Sequence, residues 1–306
     1  MPSFPESVFG YDAPDSNMEA VVFCVFEVPV AFFTVNYAWE WAAYLPRLQD
    51  VVLPLGVAHY VDVTLLFDPV WARVNAALIT VLTIAGFFRL NRFAYLGALL
   101  LLHLHFAARY SQGEIPHSPN VLGMLLMGFG IAAIAFEAPK IHRRFTMAFS
   151  YFFIGLGYTS AAFCKIIGTG WYWSDGRHLW MWIHEKSIDA FSNFGVLDLN
   201  VAQELALNHW WIATAFLTIG LVSEFFAVGM ALRRFRMLAM GAVLGLHAGI
   251  YAIMGIIFFE STVLMIMMFL YPVLTQLDAW LPESVVQTVH RVLYPRRIRP
   301  LSTSMG

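Results

Sequence analysis

The strongest constraint on this chain is a succession of apolar stretches, each close to the length of helix that crosses a lipid bilayer. A hydrocarbon core takes about 20 residues of helix. Eight stretches approach or exceed that length, at 20–43, 72–88, 93–109, 119–137, 146–167, 209–232, 236–258 and 261–281. Backbone polar groups in lipid must be satisfied within the segment, so these stretches predict helices. Only 12% of the 306 residues are charged and 59% are hydrophobic, against about a quarter charged in soluble domains. The expected fold class is therefore all-α: a multi-pass transmembrane helical bundle of about eight spans. The second and third stretches are joined only by Arg89 to Arg92 and read as a tight helical hairpin.

The basic residues orient the bundle. Arg89 and Arg92, then Lys140, Arg143 and Arg144, then Arg233, Arg234 and Arg236, fall after the second, fourth and sixth spans. Arg291, Arg296, Arg297 and Arg299 follow the eighth. Cytoplasmic loops carry an excess of Lys and Arg, so all these clusters share one side only if both termini are cytoplasmic. The expected organisation is a cytoplasmic segment 1–19, a single bundle over 20–281 and a basic cytoplasmic tail 282–306. Loops 44–71 and 168–208 then face outward. The first is apolar enough to lie in the interface or to fold back over the bundle. The second is rich in tryptophan, as an interfacial aromatic belt requires. The first twenty residues carry four acidic side chains and no Lys or Arg, the wrong sign for a cleaved signal peptide, so this segment is expected to remain. The membrane is the plasma (inner) membrane if the source is prokaryotic and the endoplasmic reticulum if it is eukaryotic. Nothing in the charge balance points to nucleic acid.

Ionisable groups at membrane depth are costly and mark functional candidates. Here they are Glu27, His103, His105, Lys165, Glu224 and His247, with Asp62 and Asp68 in the apolar first loop. Lys165 closes an otherwise uncharged span. Such a lysine either snorkels to the interface or, desolvated, acts as an amine base. Glu224 has no cation near it in its own helix and needs a partner on another helix, or a proton. His247 lies mid-span among Gly241, Gly245, Ala248 and Gly249, which suits close helix contact. His103 and His105 fall on different faces of one helix. Glu114 and His117 have E-x-x-H spacing, but Pro116 and Pro119 put them in a loop, so no metal is predicted. Cys24 and Cys164 are buried thiols or one bridge. No Walker, G-x-S-x-G, C-x-x-C or H-E-x-x-H motif is present.

Several of these stretches resemble the HTTM-type membrane proteins, the family of the vitamin K-dependent gamma-glutamyl carboxylase. The segment Tyr158–Trp182 carries the likeness furthest: a terminal lysine, Lys165, then Trp171, an acidic residue and Gly176 leading into another helix. The stretch 215–270 is similar in its order of Glu224, a basic turn with Arg233 and Arg236, and an inward His247. The region 72–135 adds a helical hairpin and a loop with His117 and Asn120. The resemblance implies a lyase-type membrane enzyme using a reduced quinone, like vitamin K hydroquinone, as cofactor. It implies Lys165, His247 and His117 as catalytic residues and Glu224, Trp171 and Gly176 as substrate-binding. The lysine would act on the quinol and the histidines would support the oxyanion. Beyond the lipid bilayer, the expected partner is a hydrophobic small-molecule substrate. Two other classes compete: a non-catalytic subunit docked on a membrane protein partner, and a proton-coupled transporter using Glu27, Glu224 and His247.

Overall fold

The computed structural model describes residues 17–48, 52–113, 119–196 and 199–276, together with 282, 284, 285 and 288. Among these residues the regular elements are helices and no strand forms. Five helical stretches are long and apolar enough to cross a membrane: Met18–Arg47, Pro69–Phe87, Pro139–Ser174, Trp210–Ala231 and Arg236–Met254. Pro119–Ala135 and Phe259–Leu274 are shorter apolar helices. The chain is thus an all-helical protein of membrane-spanning character. The described residues group into two compact units, one up to Thr146 and again from Leu270, the other from Met147 to Phe269.

The first unit holds helices α1 (Asn17–Tyr44), α2 (Pro69–Phe87), α3 (Ala94–Tyr110) and α4 (Pro119–Ala135), with the start of α5 (Pro139–Thr169). Helices α1, α2, α3 and α4 pack on one another. Phe129 of α4 lies at their centre, with its ring 5.3 Å from Phe23, 5.4 Å from Tyr95 and 6.1 Å from Phe26. The described part of the first loop folds back on α3: Leu45, Val63, Leu66 and Phe67 bury themselves against Ala107 and Ala108. Its carboxylates serve local turns. Asp68 caps α2 by accepting from the backbone N–H of Val70 and Trp71. Asp62 accepts from the N–H and hydroxyl of Thr64, which holds its carboxyl below the usual carboxylate range.

The turn between α2 and α3 is the tightest joint of this unit. Leu90 donates to the Ala85 carbonyl and Arg89 to that of Gly86, the paired bonds of a Schellman ending. That ending needs a left-handed residue where glycine is the usual choice, yet Arg89 occupies it at φ 55°. Its side chain supplies the reason. Arg89 Nη1 and Nη2 donate to the two carboxylate oxygens of Glu27 at 2.6 and 2.7 Å, and the Tyr95 hydroxyl donates to the same carboxylate at 2.5 Å. Glu27 is 1% exposed, so an unpaired charge there would be very costly. Glu27 is therefore a clasp between α1 and the α2–α3 hairpin.

The second unit runs from Met147 of α5 through α6 (Gly176–Phe194), α7 (Val201–Asn208), α8 (Trp210–Phe225), α9 (Arg236–Met254) and the start of α10 (Phe259–Leu274). The segment 168–208, expected as an outward loop, is mostly helical among the described residues. Asp175 accepts from the Arg177 N–H as the α6 N-cap, and Gly195 ends α6 in the left-handed conformation at φ 70°. Leu179 and Ile183 of α6 bury one face with Ala206, Ala213, Leu217 and Ile253. Helix α7 then stops the end of α9: Asn200 Nδ2 donates to the Ala252 carbonyl at 2.6 Å and Gln203 Nε2 to Ile253 at 2.8 Å. These carbonyls belong to the last turn of a helix and have no partner within it.

One span ends earlier than expected: helix α9 stops at Met254, before Gly255 at φ 66°. The span 209–232 keeps its length, with α8 passing into a 3-10 turn over Phe226–Ala231. Arg236 is buried rather than solvated. Its Nε donates to the Met230 carbonyl at 3.0 Å and its guanidinium lies 4.3 Å from the Tyr151 ring centre.

Removing one partner of the Glu27–Arg89 pair strands the other. Glu27→Ala is expected to destabilise the protein by about 3–5 kcal/mol, read as the unfolding midpoint in mixed micelles. Arg89→Gly should also destabilise it, although glycine suits the left-handed position; a stabilised Arg89→Gly protein would contradict the clasp.

Candidate functional site

Helices α5 and α8 run antiparallel, as the falling partner numbers show. Gly155 faces Ala227, Thr159 meets residues 224, 225 and 228, Lys165 meets Glu224, and Gly176 beyond α5 meets Thr214. The Cα–Cβ bonds of a helix tilt toward its N-terminus, so side chains on antiparallel neighbours lean toward each other. Lys165 and Glu224 use this. Lys165 Nζ donates to the Glu224 carboxylate oxygens at 2.6 and 2.5 Å. The Trp173 ring centre lies 4.4 Å from the same nitrogen, a cation–π contact. The lysine side chain is 27% exposed and that of the glutamate 10%. Lys165 thus turns inward to a counter-ion rather than snorkelling outward.

The break in α8 holds this pair in place. Where a helix tightens to a 3-10 turn its backbone groups need new partners, and at membrane depth those must be protein. Thr159 supplies them. Its hydroxyl lies 3.2 Å from the Glu224 carbonyl, 3.1 Å from that of Phe225 and 3.0 Å from the Val228 nitrogen, donating to the carbonyls and accepting from Val228. One helical turn earlier, a Cβ on Gly155 would fall against the carbonyl oxygen of Ala227. Glycine is what allows α5 to reach the break.

His247 is 8% exposed in the middle of α9. Its Nε2 is 2.6 Å from the Tyr158 hydroxyl, which also lies 3.6 Å from Met265 Sδ. Its Nδ1 is buried and has no hydrogen-bond partner among the described residues. Phe258 packs edge-on against the ring at 5.3 Å. Tyr158 is two turns before Lys165 on α5. A Lys165–Glu224 ion pair and a Tyr158–His247 hydrogen bond therefore share one stretch of α5. Such a group can hold and move protons among an amine, a carboxylate, a phenol and an imidazole.

The other sequence candidates are placed differently. Trp171 is 76% exposed, and Trp173 is the tryptophan that covers Lys165. Gly176 packs α6 onto α8: a Cβ there would press on the Trp210 carbonyl oxygen and 2.8 Å from the Ala213 Cβ, and its N–H donates to Thr214 Oγ1. Gly245 and Gly249 meet nothing within 4 Å of a built Cβ among the described residues, whereas one on Gly241 would touch the Phe269 ring at 3.8 Å. His117 and Glu114 lie outside the described residues. His105 is buried and His103 exposed, as two faces of one helix require. Cys24 and Cys164 are free thiols. Among the described residues no group of three His, Cys, Asp or Glu side chains is arranged to hold a metal ion.

Tyr158, Thr159 and Trp173 had no assigned role in the sequence. Tyr158 stands seven residues before Lys165, a spacing that returns to the same helix face, and that was the available signal. No protein-family model, curated protein or solved structure matches the chain.

Thr159→Val leaves the Val228 N–H and the carbonyls of the break without their partner. It is expected to cost about 1–3 kcal/mol, measured as the unfolding midpoint in detergent. It should also raise the labelling rate of Lys165 by an amine-reactive reagent. An unchanged rate would mean that the break does not position the pair.

Proposed function

We propose that this chain is a multi-pass membrane enzyme that takes a proton from the hydroxyl of a lipid-soluble quinol or a related phenol. The observation that carries the reading is the Tyr158–His247 hydrogen bond, with its unpartnered Nδ1, on the same stretch of α5 as the Lys165–Glu224 pair. In a site of low polarity a lysine ion-paired to a carboxylate can pass it a proton, leaving a neutral amine beside a neutral acid. The amine then accepts the substrate hydroxyl proton, so the proton lost by the substrate stays on the lysine–glutamate pair. The substrate oxyanion is stabilised by hydrogen bonds from the Tyr158 hydroxyl or a His247 ring N–H. Trp173 covers the lysine and helps to exclude water.

The HTTM resemblance supports a reduced quinone as cofactor and extends the reading to oxygenation of the quinol and a lyase-type carboxylation. His117 keeps its proposed supporting role on the resemblance alone. For topology we favour eight crossings with both termini cytoplasmic. The apolar helices and the basic turns support it, with the shorter helices accommodated by local thinning of the bilayer. The competing reading is a non-catalytic membrane subunit. Its support is that Lys165 is already fully paired and that Trp171, Tyr172, Trp210 and Trp211 are exposed.

The test is quinol oxidation by dioxygen, and labelled carbon dioxide fixation onto an added glutamyl peptide, by the purified chain in lipid nanodiscs supplied with a reduced naphthoquinone. Lys165→Ala should lower the rate at least about 100-fold and Tyr158→Phe about 10-fold, as loss of an acid–base group does. Full activity in both Lys165→Ala and His247→Ala proteins that remain folded would overturn the enzyme reading. A wild-type protein that binds no quinol would favour the subunit.

A further inference from the structure

A cavity of about 260 Å³ opens in the first unit between the end of α1 and the start of α2, far from the Glu27–Arg89 clasp along both helices. Trp39, Ala42, Ala43, Pro46 and Pro69 give it an apolar lining, and its two charged walls are Arg47 and Arg73. Neither arginine forms an ion pair among the described residues, although Glu40 and Asp68 are close in sequence. The Asp68 carboxylate is occupied as the α2 N-cap. Among the described residues that line the cavity, the charged side chains are these two guanidinium groups, and guanidinium geometry matches phosphate oxygens.

The cavity heads an apolar lane. Along α1 the exposed residues Val25, Val28, Phe32 and Trp39 follow helical spacing up to its wall, and along α2 Val81 and Ile84 continue from Arg73 in the same way. Trp39 ties the two helices by donating from Nε1 to Thr80 Oγ1 at 3.1 Å. A ligand that fits carries a negative phosphate at one end and long apolar chains at the other. A zwitterionic lipid is neutral overall and neutralises neither arginine in sum, whereas an anionic phospholipid neutralises one of the two charges.

We infer that Arg47, Arg73 and Trp39 form a binding site for the phosphate headgroup of an anionic phospholipid, whose chains lie along α1 and α2. A soluble phosphate shares the headgroup chemistry but cannot use the lane.

The experiment uses the full chain in nanodiscs of phosphatidylcholine with a minor fraction of phosphatidylglycerol, with lipids retained on the protein counted by native mass spectrometry. The wild type should retain phosphatidylglycerol in clear excess over its share of the disc. Arg47→Gln and Arg73→Gln should each reduce that excess about fivefold, and the double variant about thirtyfold. Arg47→Lys with Arg73→Lys, which keeps the charge, should retain part of it and controls for folding. Bromination of the phosphatidylglycerol chains should quench wild-type tryptophan fluorescence more than it quenches Trp39→Phe. Equal retention in the wild type and the double glutamine variant would overturn the site. Displacement of the bound lipid by millimolar inorganic phosphate would overturn the lipid as its ligand and leave a soluble-anion site.

Discussion

An ionised side chain at membrane depth must bring its own counter-ion, and two of the ion pairs among the described residues join positions about sixty apart. Glu27 and Arg89 are separated by 62 residues, and Lys165 and Glu224 by 59. Each pair lies inside one compact unit and fixes a feature that propensity alone would not. The first holds an arginine in a left-handed turn where glycine is the usual choice, and so sets how the α2–α3 hairpin meets α1. The second holds α5 against a break in α8, with Thr159 and Gly155 completing the backbone accounting there. Hydrophobic burial has little power to choose among helix arrangements in lipid. Pairing of the few charges and close approach at glycine have more, because each tolerates essentially one register.

The spans themselves were legible because their signal is long-range in composition and needs no partner. A helix lies on each apolar stretch, although the one over 146–167 starts at Pro139 and the one over 261–281 ends at Leu274, and five of the helical stretches are long and apolar enough to cross a membrane; the Arg89–Arg92 hairpin follows directly from its short connection. What composition could not supply was the segment after Lys165. Its tryptophans suggested an interfacial loop, whereas Asp175 and Gly195 are a helix start and stop around an amphipathic stretch of ordinary polarity. Those two signals are local and were readable. The pairing of Lys165 with Glu224 was readable only as a need, since Glu224 had no cation in its own helix. Which helix would answer depended on tertiary packing. Gly176 also packs α6 onto α8 and Trp171 is exposed, placements that motif similarity does not specify.

The two buried clusters are chemically alike and differ in closure, and that difference separates a clasp from a candidate site. Around Glu27 the carboxylate accepts from both nitrogens of a guanidinium and from a phenol, and the guanidinium cannot give up its proton at any ordinary pH. Nothing in that cluster can change state without unfolding it. Around Glu224 the counter-ion is a lysine, whose ammonium can lose a proton, and it is less deeply buried than Glu27. Beside it stands an imidazole with one nitrogen bonded to Tyr158 and the other unpartnered among the described residues. A buried imidazole nitrogen without a partner costs stability. His142 also keeps buried ring nitrogens unpartnered among the described residues, so what sets His247 apart is the phenol bonded to its other nitrogen, carried on the same helix as the lysine of the ion pair.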